Sequence, residues 1–153
     1  MEQIDALDGT EAAVHVSPMD WSLGAHLLTP VYATQAEDAA GRRAFLDDLR
    51  SGAADFASNE QFNGWVDTVD AMLEFNQNAD SPLDSDFDPA VSALANGEVG
   101  LWFMGNWAVP PLAEAAPDGT FGIMPLPISD DAGDFGNTQI PVGVPAYLSL
   151  IHI

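Results

Sequence analysis

Trp107, a tryptophan that follows a glycine turn, is the side chain in this sequence best suited to bind a ligand. Residues 99–104 are apolar on both alternating sets of positions, which is typical of a strand covered on both faces. Gly105 and Asn106 break this run just before a segment of helical character. Trp107 is therefore predicted to lie beyond the carboxyl end of a strand, where open α/β folds place their ligand crevices. There the indole can stack on the apolar C–H face of a pyranose ring, or it can simply plug the end of the sheet.

Three further side chains are candidates for the same crevice. Trp21 lies on another predicted strand-to-helix loop, where its indole can face a ligand or belong to the core. Asp20 and Asn106 can hydrogen-bond to sugar hydroxyls, although each can instead cap the helix that follows it. The predicted substrate-binding residues are therefore Trp107, Trp21, Asn106 and Asp20.

Alternate acidic residues between the predicted helices resemble the start of a calcium loop, but the pattern fails. Asp84, Asp86 and Asp88 have the spacing that begins an EF-hand loop. Pro89 then stands where that loop needs glycine, and Ala95 replaces its bidentate glutamate. We interpret these acids as the solvated entrance of a helix.

No catalytic residue, metal ligand or cofactor is predicted. His15 and His26 lack a metal-ligand spacing and cysteine partners, so they are interpreted as ordinary loop or helix residues. The 24 acidic residues could include a glycosidase pair, but abundance alone does not identify one. Such a pair is recognised by a raised pKa and a separation of about 5 to 9.5 Å, which the sequence does not reveal.

Hydrophobic periodicity and turn residues predict an alternation of strands and helices. Trp65 falls on an apolar helical stripe and Trp102 in the middle of a strand, so both are predicted to be structural. The predicted elements are a strand at 12–16, helices at 22–34, 41–51 and 59–77, a helix capped by Asp88 and closed by Gly97, the strand at 99–104, a short helix ending before Pro117, a second strand at 121–127 and a polar loop at 129–138.

Composition and charge restrict the class of protein. The chain has 153 residues, of which 47% are hydrophobic, so one core of useful size can form. The formal charge of -21 excludes binding to nucleic acid and to anionic lipid surfaces, since both carry negative charge. Cysteine is absent, which removes disulfides and thiolate sites. No apolar run approaches the ~18 residues of a membrane span, and the first residues do not form a secretion signal.

A series of motifs in the second half of the chain resembles the extracellular solute-binding proteins of carbohydrate ABC importers, the group related to maltose-binding protein. That family pattern is a helix ending in Asn/Lys-Gly-Glu/Lys, an apolar strand, Gly-x-Trp, a short helix and Phe/Tyr-Gly-x-x-Pro-x-Pro. The matching segments are Asn96-Gly97-Glu98, residues 99–104, Gly105-Asn106-Trp107 and residues 121–127, with further likeness at 17–24 and 141–144.

The resemblance implies a fold, a function and a location. The fold would be α/β of the periplasmic-binding-protein-like type II, with residues 1–139 as most of one lobe and residues 140–147 as the start of the return strand to the other lobe. The protein would bind a sugar or oligosaccharide outside the membrane and deliver it to ABC permease subunits, without inserting into the membrane itself. The full-length parent would be periplasmic or a membrane-anchored lipoprotein, so the missing signal is interpreted as truncation. The alternatives are a carbohydrate sensor or scaffold with the same fold and, less in keeping with the motifs, a glycoside-processing enzyme.

Residues 148–153 are predicted to be foreign to the protein. Their back-translation as CTG TCT CTT ATA CAC ATC matches the transposase end sequence used in library preparation, which indicates read-through of an adapter. The alternative is that the apolar run that begins near residue 142 is a continuing strand.

Overall fold

A computed structural model describes residues 7, 9–17, 26–77 and 86–140 of the chain. As far as residue 115 the strands and helices follow the order that the sequence predicts, and there are two short 3-10 turns within the described ranges. The elements are β1 (Ala12–Val16), α1 (Leu28–Ala33), α2 (Ala39–Ser51), α3 (Glu60–Glu74), α4 (Phe87–Ala95), β2 (Val99–Phe103), a 3-10 turn (Asn106–Ala108), α5 (Val109–Ala115) and a second 3-10 turn (Phe135–Thr138).

The two strands are parallel neighbours, with His15 opposite Trp102 and Val16 opposite Phe103. A third segment, residues 75–77, runs parallel along the other side of β1. The backbone N–H of Gln77 donates to the carbonyl of Val14 at 2.9 Å, and the backbone N–H of Val16 donates to the side-chain oxygen of Asn76 at 3.0 Å. α3 ends at Glu74, before the predicted boundary at residue 77, and Asn76 forms a parallel bridge with Val14 of β1.

Helices cover both faces of this small sheet. On one face, Met72 of α3 packs against the buried side chains of Val14 and Val16. On the other face, Trp102 packs against a cluster contributed by α4 and the chain that follows β2, which contains Val91, Ala108 and Leu112. The predicted α/β class is confirmed in this general form, because a parallel sheet with helices on both faces is what that class means.

The helix ends follow from the residues placed there. Asp38 accepts a hydrogen bond from the backbone N–H of Gly41 at 2.7 Å and begins α2. Asn59 accepts one from Phe62 at 2.8 Å and begins α3. Gly52 ends α2 with a φ of 77°, a left-handed conformation that glycine adopts without steric cost.

The prediction that Asp88 caps α4 is wrong. The capping residue is Asp86, whose carboxylate accepts a hydrogen bond from the N–H of Phe87 at 3.0 Å. Asp88 and Pro89 lie within the first turn, where the missing N–H of proline costs no helical hydrogen bond. The predicted end is confirmed, since Gly97 follows the helix with a φ of 73°.

The predicted strand at 121–127 is also wrong. Those residues form no strand and pair with neither β1 nor β2. Pro125 and Pro127 have no N–H to donate to a strand pairing, and Ile123 is 70% exposed. The segment is held instead by α3, where the Thr68 hydroxyl donates to the carbonyl of Pro127 at 2.7 Å.

The polar segment at 129–138 is a loop, as predicted, and one amide side chain organises it. The Asn137 oxygen accepts hydrogen bonds from the N–H groups of Ile128 at 2.7 Å and Ser129 at 3.2 Å. Its nitrogen donates to the carbonyls of Ser129 and Asp131, both at 2.8 Å. The predicted return strand and the tail at 148–153 lie outside the described residues, apart from Ile140, which is in an irregular conformation.

Aromatic side chains join α2 to α3. Phe45 of α2, Phe56 of the connection, and Phe62 and Trp65 of α3 follow one another with ring centroids 4.8 to 6.1 Å apart. Trp65 therefore packs against the ring of Phe62, as its predicted structural role requires. Of the helices in the described ranges, none combines the length and the apolar character needed to cross a membrane.

Candidate ligand-binding site

The order of the three parallel segments identifies one edge of the sheet as the candidate ligand-binding site. From β1 the chain passes through α3 to residues 75–77 on one side of β1, and then through α4 to β2 on the other side. The direction of winding therefore reverses at β1, with α3 and α4 on opposite faces of the sheet. Ligand crevices of open α/β sheets lie at the carboxyl ends of the strands beside such a reversal. In this chain that edge is where β1 ends at Val16 and β2 ends at Phe103.

Trp107 lies at this edge, as predicted. It follows β2 by way of Gly105 and belongs to the 3-10 turn that precedes α5. Its side chain is 47% exposed, which is high for tryptophan, a residue that is on average well buried in folded proteins. The ring is not detached from the protein, because it lies against the backbone of Gly105 and beside the imidazole of His26.

Asn106 is exposed and stands next to Trp107. The sequence left open whether this residue caps the following helix or faces a ligand. In the structure Gly105 occupies the capping position of the 3-10 turn, and no side chain forms a capping hydrogen bond there. The Asn106 amide is therefore available at the edge for another partner.

Asp20 and Trp21 lie outside the described residues, so their predicted place in the crevice stays a prediction. The chain leaves the edge of the sheet at Ser17 and is described again from His26. His26 contacts Trp107, with ring centroids 4.8 Å apart. His26, which precedes α1, therefore lies beside the turn after β2.

Below the exposed edge lies a layer of buried polar side chains. Ser17 is fully buried, and its hydroxyl accepts a hydrogen bond from the indole N–H of Trp102 at 2.9 Å. His15 is buried in β1 instead of lying in a loop or helix, and its Nδ1 pairs with the side-chain oxygen of Gln77 at 3.0 Å. This layer ties β1 to both of its neighbours, through Gln77 on one side and Trp102 on the other.

The structure assigns the remaining tryptophan of this region to the core. Trp102 uses its only polar atom for Ser17, and its ring packs edge-on against Phe87 with centroids 5.2 Å apart. Both observations agree with the structural role predicted for a residue in the middle of a strand. Trp102 therefore supports the site from inside the sheet without facing it.

The carboxyl group of Asp55, whose pKa is lowered, belongs to a turn and not to the edge of the sheet. The backbone N–H of Ser58 donates to Asp55 at 2.9 Å, its hydroxyl donates at 3.1 Å, and these bonds lower the pKa of the Asp55 carboxyl. Asp55 lies in the connection between α2 and α3, where local hydrogen bonding explains the shift without any catalytic role.

Sequence reasoning missed His26 and residues 75–77. A lone histidine before a helix carries no signal of a ring contact, and a short segment at the end of a helix carries no strand periodicity. Within the described ranges, no group of three or more histidine or acidic side chains is placed to hold a metal ion. Comparisons with protein-family models, curated proteins and solved structures found nothing that matches this chain.

Proposed function

We propose that this chain is most of one lobe of a two-lobed, type II periplasmic-binding-protein-like protein that binds a sugar or oligosaccharide for an ABC importer. The observation that carries the proposal is the position of Trp107. A half-exposed indole stands at the carboxyl edge of a parallel sheet, beside the strand at which the winding reverses. The motifs that resemble the importer-associated binding proteins agree with this position.

The chemistry of the indole favours a ligand with an apolar ring face. A pyranose presents C–H groups on its face and hydroxyls around its rim, so it can stack on an aromatic ring and hydrogen-bond at its edges. Asn106 supplies an amide beside the ring, and its side chain is exposed. Asp20 and Trp21 complete the proposed set of contacts, on the strength of the sequence alone.

The charge of the chain favours an uncharged ligand. With a formal charge of -21 and three arginines as its only fixed cations, the surface repels phosphates and nucleic acids. All three arginines, Arg42, Arg43 and Arg50, belong to α2 and none to the carboxyl edge. A neutral sugar meets no such repulsion.

In this proposal the partners are a carbohydrate and the permease subunits of an importer, and the protein acts outside the membrane. One lobe supplies one wall of the cleft, and the other lobe closes on the ligand by a hinge motion. We therefore expect the isolated chain to bind sugars weakly and the two-lobed protein to bind them tightly.

The experiment is a binding screen followed by substitution of Trp107. The 153-residue chain, labelled with 5-fluorotryptophan, is titrated with methyl pyranosides and their oligosaccharides while fluorine resonances are recorded. The resonance that disappears in the Trp107→Phe variant belongs to Trp107, and we expect a subset of the sugars to shift it.

For a sugar that binds, Trp107→Ala should weaken affinity by about 5- to 150-fold, if stacking on a sugar has the ~1 to 3 kcal/mol scale of stacking on nucleobases. Phe121→Ala is the matched control, because Phe121 is similarly exposed, at 41%, but follows the other end of α5. The proposal fails if none of the sugars shifts the Trp107 resonance. It also fails if a sugar binds equally well to the folded Trp107→Ala variant.

A further inference from the structure

His26 and Trp107 form a pair of rings that joins the connection after β1 to the turn after β2. Their ring centroids are 4.8 Å apart and their planes are inclined by 45°. His26 comes just before α1, whereas Trp107 comes just before α5. The contact therefore joins the residue that precedes α1 to the turn that follows β2.

Gly105 limits the indole from a second direction. A Cβ atom on Gly105 would overlap the six-membered ring of Trp107, so the ring occupies the space that any other side chain would take. The backbone of Gly105 is extended, with a φ of -85°, and the glycine is not needed there for an unusual conformation. Its role is to let the indole approach the backbone.

An indole held from two sides is a better binding surface than a mobile one. An exposed tryptophan that is free to change its rotamer loses that freedom when a ligand stacks on it, and the loss weakens binding by roughly 2- to 10-fold for one side chain. Trp107 is 47% exposed and yet has contacts with both Gly105 and His26. The ring can therefore stand ready before the ligand arrives.

We infer that His26 is a positioning residue of the ligand site, which holds the indole of Trp107 at the tilt in which its exposed face meets the ligand. The identity of the ligand rests on the proposed function, but the ring geometry does not. The two can therefore be tested separately.

The ring geometry is tested without any sugar. In the unsubstituted chain we expect nuclear Overhauser contacts between the imidazole protons of His26 and the indole protons of Trp107. In the fluorotryptophan-labelled chain, His26→Ala should move the Trp107 resonance and leave those of Trp65 and Trp102 in place. His26→Phe should largely restore it, because phenylalanine also supplies a ring.

Leu28→Ala is the matched control, since Leu28 is a neighbouring side chain at the start of α1 and is 47% exposed. It should leave the Trp107 resonance unchanged. If the Trp65 and Trp102 resonances move together with that of Trp107 in His26→Ala, the histidine has only a structural role and the inference is wrong. Absence of the Overhauser contacts in the unsubstituted chain overturns it regardless of how any variant folds.

The effect on binding is measured with whichever methyl pyranoside shifts the Trp107 resonance. We expect His26→Ala to weaken its affinity by about 2- to 10-fold and His26→Phe to recover most of the loss. Unchanged affinity in His26→Ala would show that the tilt of the indole does not matter to the ligand, and would overturn the positioning role. If no pyranoside shifts the resonance while the Overhauser contacts are present, the proposed function fails and the ring geometry stands.

Discussion

Trp102 and Trp107 stand on either side of Gly105 and have opposite environments. Trp102 lies within β2, with its N–H bonded to Ser17 at 2.9 Å and its ring against Phe87. Trp107 lies beyond the strand, is 47% exposed, and touches a glycine and a histidine ring. The same type of side chain thus occurs once within the sheet and once beyond its carboxyl edge.

The difference shows which tryptophan of such a fold can bind a ligand. A tryptophan whose polar atom and ring are both used inside the sheet has nothing left for a ligand. A tryptophan at the carboxyl edge keeps a large apolar face exposed, which costs stability because that surface is not removed from water. An exposed face that is nevertheless held in position is the arrangement expected of a binding residue.

The largest effect on stability is expected from Trp102→Ala. Removing this ring leaves a cavity beside Phe87 and deprives the buried Ser17 hydroxyl of its donor. We expect the free energy of unfolding to fall by about 3 kcal/mol, as measured by urea denaturation followed by circular dichroism.

Trp102→Phe separates the two contributions to this loss. It keeps a ring in the cluster and removes the hydrogen bond, so the expected cost is about 1 kcal/mol. A loss in Trp102→Ala no greater than that in Trp107→Ala would contradict the assignment of Trp102 to the core.

The second prediction compares a glycine of the core with the glycine of the edge. A Cβ atom on Gly64 of α3 would overlap the backbone carbonyl of Ile128, which cannot move aside cheaply, whereas one on Gly105 would overlap the ring of Trp107, a side chain that is 47% exposed. Overpacking costs ~1 to 3 kcal/mol, and a clash with backbone belongs at the upper end of that range, so after the ~1 kcal/mol gain in helix propensity Gly64→Ala should destabilise by about 2 kcal/mol.

Gly105→Ala should change the free energy of unfolding by no more than about 0.5 kcal/mol, because alanine restricts the unfolded chain and the new Cβ atom displaces a half-exposed side chain instead of a backbone carbonyl. The Trp107 fluorine resonance should nevertheless move. Equal destabilisation by the two alanines in the urea measurement would show that the ring of Trp107 is fixed as rigidly as a backbone carbonyl.

The parts of the fold that follow from local pattern could be predicted from sequence. The short strand β1, the apolar run of β2 and the glycine after α2 each follow from local sequence, and their predicted positions are confirmed. Residues 121–127 are apolar like a strand, but a strand exists only when another pairs with it, and the sequence does not show whether one does. Residues 75–77 were predicted to be helical, but Asn76 forms a bridge with β1. That bridge depends on tertiary structure, which the local sequence does not show.

In the candidate site, too, one residue could be predicted from local sequence and another could not. Trp107 was predictable because a glycine break after an apolar run places the next residue at the end of a strand. His26 was not, because its contact with Trp107 arises only when two connections distant in the chain return to one edge. The start of α4 was also mispredicted from sequence, because Asp86 and Asp88 can each act as a helix cap. In the structure Asp86 is the cap, and Pro89 lies in the first turn.

The smallest effect on stability is expected from Trp107→Ala. The substitution removes contacts with Gly105 and His26, but these lie at the edge of the sheet and about half of the side chain is already exposed. Substitutions at such surfaces usually change the free energy of unfolding by no more than about 0.5 kcal/mol, and we expect a value in that range from the same urea measurement. Phe121→Ala, which removes an aromatic side chain that is 41% exposed, is the reference for an exposed ring without a proposed ligand role. The two alanine variants should therefore be alike in stability and differ only in their affinity for a sugar. A loss of about 2 kcal/mol or more in Trp107→Ala alone would mean that the indole closes the end of the sheet, and the contrast with Trp102 would disappear.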